Sequence, residues 1–141
     1  MNTSTMTDSI SKEKWFKQPI QKVWEAITEN EHVSKWLVPT NFKAQEGFEY
    51  SLQDPKASCN VVTGKVIKAI PYSLVYTWIN EEVKDVETLV SWELIEENGG
   101  TLVQMKHSGI SKYQESVKAN MMSTYTQGWA RCFDNITSLL S

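Results

Sequence analysis

Apolar and polar positions change period twice along this chain. "ISKEKWFKQ" (10–18) alternates weakly and reads as a first strand. In "PIQKVWEAITEN", Ile20, Val23, Trp24 and Ile27 recur at i, i+3, i+4 and i+7, which is one face of a helix. Pro19 suits its first turn, where a missing N–H costs nothing. Val33, Trp36 and Leu37 repeat that spacing and predict a second short helix, stopped by Pro39. From Phe42 to His107 the period is two. "GFEYSLQD" puts Phe48, Tyr50 and Leu52 on one face, and "NVVTGKVIKAI" is a β-branched run that ends at Pro71. "PYSLVYTWIN" sends Leu74, Tyr76 and Trp78 to one side and Val75, Thr77 and Ile79 to the other. "VETLVSWELIEE" sets Val86, Val90, Trp92 and Leu94 against Glu87, Glu93 and Glu97. "NGG" (98–100) predicts a tight hairpin, because Asn-Gly tolerates the positive φ such turns need. The return strand "TLVQMKH" places Val103, Met105 and His107 on one face.

After Gly109 the period becomes helical and stays so. Val117, Met121, Tyr125, Gly128, Cys132, Ile136 and Leu139 form a stripe flanked by Trp129, Phe133 and Leu140. "STYT" (123–126) is a weak helix former, and a break or kink is expected there if anywhere. Strands grouped in the middle with helices at both ends indicate an α+β fold, the helices lying on one side of an antiparallel meander. A twisted meander of about six strands curls. The long helix is then expected to lie across its concave side, with the two short helices plugging one end. Residues 1–9 are polar and are expected to be a flexible N-terminus, and 10–141 a single domain.

That geometry turns attention to the aromatic residues. Phe48, Tyr50, Tyr76, Trp78 and Trp92 come from neighbouring strands, Trp36 from the second helix, and Met121, Met122, Tyr125 and Trp129 from the long helix above them. Six tryptophans in 141 residues is the unusual feature of the composition. Stiff rings with polar tips beside adaptable methionines suit a pocket for a flat or elongated apolar molecule. The same residues can also close-pack as a solid core. Periodicity alone does not separate the two.

Charge and cysteine content narrow the partners. A net charge of −3 with no basic run offers nothing to nucleic acid, and no stretch is long enough to insert into a membrane. Cys59 and Cys132 lie in no metal or redox spacing and read as reduced thiols. The N-terminal segment lacks the features of a secretory signal, so a cytoplasmic address is expected.

Residues able to carry chemistry are few. His107 ends an inward-facing run and could hold a polar group of a ligand or act as an acid–base group. The plainer account is a strand-end histidine bonded to backbone. His32 reads as a solvated surface residue. Cys132 sits on the apolar stripe, as an inert thiol would. Glu93, Glu96 and Glu97 read as a solvated strand face. No nucleotide, zinc or hydrolase motif is present, and neither a metal nor a cofactor is expected.

Four blocks in order, "QPIQKVWEAITENEHVSKWL", "GKVIKAIPYSLVYTW", "VSWELIEENGGTLVQMKHSG" and "GWARCFDNITSLL", resemble the START-like, birch-pollen-allergen-like superfamily (SRPBCC). More narrowly the chain is similar to the family named for activators of the ninety-kilodalton heat-shock chaperone's ATPase. The resemblance covers roughly 10–140. It implies a helix-grip fold, a curved sheet wrapped on a C-terminal helix with a ligand cavity between them. The expected function is therefore non-catalytic binding of a small hydrophobic molecule, lipid-like or polyphenol-like, with stress response as the expected context. The resemblance also implies two alternatives, a chaperone-associated interaction module and a small-molecule enzyme of the same fold using His107.

Overall fold

The computed structural model describes residues 8–53 and 60–141. Its elements are β1 (Ser9–Phe16), α1 (Ile20–Thr28), α2 (Asn30–Trp36), β2 (Glu49–Gln53), β3 (Asn60–Ile70), β4 (Ser73–Asn80), β5 (Thr88–Glu97), β6 (Gly100–Ser108) and α3 (Glu115–Leu140), with a 3-10 turn at Ile110–Lys112. All strand pairs are antiparallel, in the order β1-β6-β5-β4-β3-β2. The meander therefore runs from β2 to β6, and β1 closes onto its far side.

Each element follows from local chemistry. Pro19 sits one place earlier than its expected first-turn position: it is the N-cap of α1, extended at φ −63° and ψ 151°. Its carbonyl accepts from the N–H groups of Lys22 and Val23. The β5–β6 hairpin turns through Asn98 at φ 51° and Gly99 at φ 77°, the pair of left-handed residues a two-residue turn demands. β3 carries an irregularity between Val66 and Lys68, where Ile67 is left unpaired and half-exposed. Such a bulge bends and twists a strand, which helps the sheet curve towards α3.

Gly64 serves a close approach. A Cβ there would stand 2.1 Å from the Thr77 carbonyl oxygen and 2.7 Å from the Tyr50 ring. The bare backbone lets Tyr50 lie across β3 and donate its hydroxyl to Thr77 O at 2.5 Å. At the chain's start, Asp8 accepts hydrogen bonds from the N–H groups of Gly109 and Ser111 and from the Ser111 hydroxyl. Those bonds hold its carboxyl below the usual carboxylate range, and they fasten the entry of β1 to the turn after β6. Of the expected flexible segment, residues 1–7 lie outside the described residues, while Ser9 already belongs to β1.

Two expectations need correction. α3 is one unbroken helix through "STYT". Its buried face is Met121, Tyr125, Trp129, Cys132, Phe133, Ile136 and Leu140, so Gly128 and Leu139 fall to the margin of the stripe. The helix turns its largest side chains inward, and the apolar area they remove from water outweighs a regular step of three or four. On α1, similarly, Val23, Ala26, Ile27 and Thr28 are buried, whereas Trp24 is half-buried against the edge of Tyr72.

Candidate functional site

Where α3 crosses the sheet, the interior is built from rings. Trp92 of β5 stacks on Phe133 at 5.7 Å with an interplanar angle of 12° and meets Trp36 and Trp129 edge-on. Trp78 of β4 packs on Trp129, His107 and Tyr125. Phe42, Tyr50 and Tyr76 form a second group at mutual distances of 5.4–5.5 Å. Edge-to-face geometry of this kind is what ring quadrupoles prefer.

Nearly every polar tip in this interior has a partner. Trp36 Nε1 donates to Ala26 O, Trp92 Nε1 donates to the Tyr76 hydroxyl, and Tyr113 and Tyr125 share a hydrogen bond through their hydroxyls. His107 has no exposed surface. Trp129 Nε1–H donates to its Nδ1 at 3.0 Å, so the ring proton must reside on Nε2, which donates to Thr88 Oγ1 at 2.7 Å. The Thr88 hydroxyl then donates to the carbonyl of Trp78. Burial lowers the His107 pKa to about 3, keeping the ring neutral. The sequence placed His107 inward, and the structure shows it held by side chains of β5 and α3 rather than by backbone.

Two buried side-chain nitrogens have no partner among the described residues, His32 Nδ1 on α2 and, within this interior, Trp78 Nε1. The indole N–H of Trp78 is buried and unsatisfied. Trp78 also lies in the wall of a largely apolar cleft. That cleft has a volume of about 250 Å³ and lies between the end of α2 with the following Leu37–Val38 and the outer edge of α3. Trp36, Trp78, Tyr125, Trp129 and Cys132 form its apolar wall, while Thr124, Gly128, Arg131 and Asn135 bring the polar margin of α3 to its mouth. Behind Trp36 and Trp78 a second void, of only about 10 Å³, touches Tyr50 and Tyr76. The space next to the sheet is thus almost filled, and the open volume is displaced towards α2 and one side of α3.

Of the residues singled out by sequence, four meet at this cleft: Trp36, Trp78, Tyr125 and Trp129. Tyr50 and Tyr76 face the small void. Trp92, His107 and Met121 are buried in the packed interior, and Phe48 and Met122 are half-buried beside it, none of them in the wall of either space. Leu37, Val38, Gly128, Arg131 and Asn135 also line the cleft and were not singled out. Gly128 did stand on the helical stripe, and a glycine at mid-helix was the available signal.

The thiol of Cys132 is pushed up to about 12 by burial, as an unreactive packing residue would be. Cys59 lies outside the described residues. His32 is less solvated than expected: its side chain is 30% exposed, and Nε2 lies 3.9 Å from Glu29. With Glu31 these form an acidic surface group on α2. Among the described residues no helix is long and apolar enough to cross a membrane.

A six-stranded antiparallel sheet gripping a long C-terminal helix defines the helix-grip class. Within it, residues 17–141 match the family model described as Activator of Hsp90 ATPase homolog 1-like protein, and the chain belongs to that family. Among solved structures it is similar to protein MLL2253 from Mesorhizobium loti, with a TM-score of 0.81 and 21% identity over 94% of this chain and 96% of that one. Protein BH1534 from Bacillus halodurans gives 0.76 and 27% identity, covering 94% of this chain and 96% of that one. The Aha1 dimer from Colwellia psychrerythraea gives 0.74 and 19%, covering 94% of this chain and 95% of that one. No curated protein matches the chain by sequence.

Proposed function

We propose that this protein binds a compact, flat apolar molecule in the cleft between α2 and α3, without transforming it. The observation that carries the reading is the cleft itself, walled by three tryptophans and a tyrosine. The volume is just below the ~300–1,000 Å³ usual for ligand pockets. At roughly 30 Å³ per water, it holds the equivalent of about eight waters. A one- or two-ring compound fits that space better than a long acyl chain.

His107 gives no support to catalysis on such a molecule. Both ring nitrogens are engaged, the ring does not line the cleft, and its low pKa leaves no proton to give at neutral pH. A chaperone-associated role remains the second reading, supported by family membership and the likeness to Aha1. Unchanged ATPase turnover of a ninety-kilodalton heat-shock chaperone on adding this protein would dismiss it.

Isothermal titration calorimetry with 2-naphthalenemethanol tests the first reading. Saturable binding is expected, and Gly128→Leu should abolish it. A Cβ at Gly128 meets no atom within 4 Å, so a side chain there starts in open space at the cleft, and an unchanged thermal melt of the variant checks that the fold is kept. Absence of binding to the parent protein across a panel of one- and two-ring compounds would overturn the proposal.

A further inference from the structure

The chemistry of the cleft's mouth narrows the ligand. Arg131 is the chain's single arginine; the other thirteen basic residues are lysines. It stands on α3 seven residues after Thr124 and three after Gly128, on the stripe that borders the cleft. No aspartate or glutamate lines that cleft. Among the described residues Arg131 forms no ion pair: the three present join His32 to Glu29, Lys84 to Glu81 and Lys118 to Glu115. The neighbouring Asn135 is committed elsewhere, donating through Nδ2 to the carbonyl of Trp36 and so tying α3 to the end of α2. A permanently charged, planar donor group is thus left at the lip of an apolar slot, on a protein whose overall charge is negative.

We infer that the ligand is an aromatic carboxylate, with its ring against Trp36, Trp78 and Trp129 and its carboxylate on the guanidinium of Arg131. The inference rests on the cleft being a ligand site. A guanidinium pairs with a carboxylate through two parallel N–H···O bonds and sheds water more readily than an ammonium. An exposed pair of this kind would contribute little by itself. Here the ring anchors the carboxylate at the arginine, and the low-dielectric wall strengthens the attraction. The arginine thereby selects an acid over the matching neutral compound, while the rings supply most of the affinity.

The test compares 2-naphthoate, an anion, with the uncharged 2-naphthalenemethanol of the same ring, by calorimetry on the parent protein, Arg131→Gln, Arg131→Lys and Gly128→Leu. The parent is expected to bind naphthoate about tenfold more tightly than the alcohol, a 1.4 kcal/mol difference. Arg131→Gln should remove that preference by weakening naphthoate far more than the alcohol, and Arg131→Lys should restore it only in part. Gly128→Leu should abolish both. If the alcohol binds as well as the acid, or if Arg131→Gln weakens both equally, the carboxylate assignment fails and the apolar site stands. If neither compound binds the parent, the site itself fails and this inference with it. Arg131 is exposed, so an unchanged thermal melt for its variants confirms that the comparison reads binding rather than folding.

Discussion

His107 is a buried imidazole whose protons are fixed by its neighbours. Trp129 donates to one nitrogen and Thr88 accepts from the other. A second proton would have to break the bond from Trp129 and place a charge where no water reaches. The folded pKa of about 3 lies below the ordinary 6.5. The unfolded chain therefore takes up the proton first, and stability must fall as pH drops from about 6.5 towards 3. Urea unfolding over that interval should show a loss approaching 1.4 kcal/mol per pH unit from this group. His107→Gln should be less stable at pH 7 and show a shallower pH slope. The carboxyl of Asp8, whose pKa is lowered, adds its own loss only below about 4. Thr88→Val removes the acceptor of the imidazole N–H and the donor to Trp78 O, and should cost about 1–3 kcal/mol in the same assay at pH 7.

Among the elements, α3 shows what a sequence discloses and what it withholds. Apolar spacing was enough to foresee a long helix and an inward Met121, Tyr125 and Cys132. It could not decide between Gly128 and Trp129, because positions three and four apart share a face. Size decided it, and the glycine was left at the cleft's edge. Glycine at mid-helix is about 1 kcal/mol less favourable than alanine. Gly128→Ala, whose Cβ meets open space, should therefore raise the unfolding free energy in urea by about that amount. Gly64→Ala should lower it, since its Cβ would collide with the Thr77 carbonyl and the Tyr50 ring. Gly99→Val should also lower it, because a β-branched residue resists φ 77°. The hairpin at 98–100 was legible because its turn chemistry is local. Trp24 was misjudged for the opposite reason. A four-position helical pattern sets a direction, but the neighbours that cover it, here Tyr72 among them, come from another part of the chain. Trp129→Ala should then cost about 3–5 kcal/mol, as large core truncations do, and Trp24→Ala distinctly less.

For the molecule as a whole, alternation along β4 and β5 foretold that Tyr76, Trp78 and Trp92 point into the concavity of the sheet. It could not tell whether that concavity is full. Filling depends on where Phe133 and Trp129 settle against Trp92, and on how far Leu37 and Val38 stand from α3. These are contacts between segments about forty residues apart in the first case and about ninety in the second. The result is an interior packed next to the sheet and open at one side of the helix. Trp36 and Trp78 form the partition between the cleft and the small void behind it. Indole N–H signals make that partition observable, since the six tryptophans give separate reporters. In an NMR titration with 2-naphthalenemethanol, the signals of Trp36, Trp78 and Trp129, all in the cleft wall, should move together and saturate. Those of Trp15 and Trp24, remote from the cleft, should stay in place. Movement confined to Trp15 and Trp24, or no movement at any indole, would contradict the account.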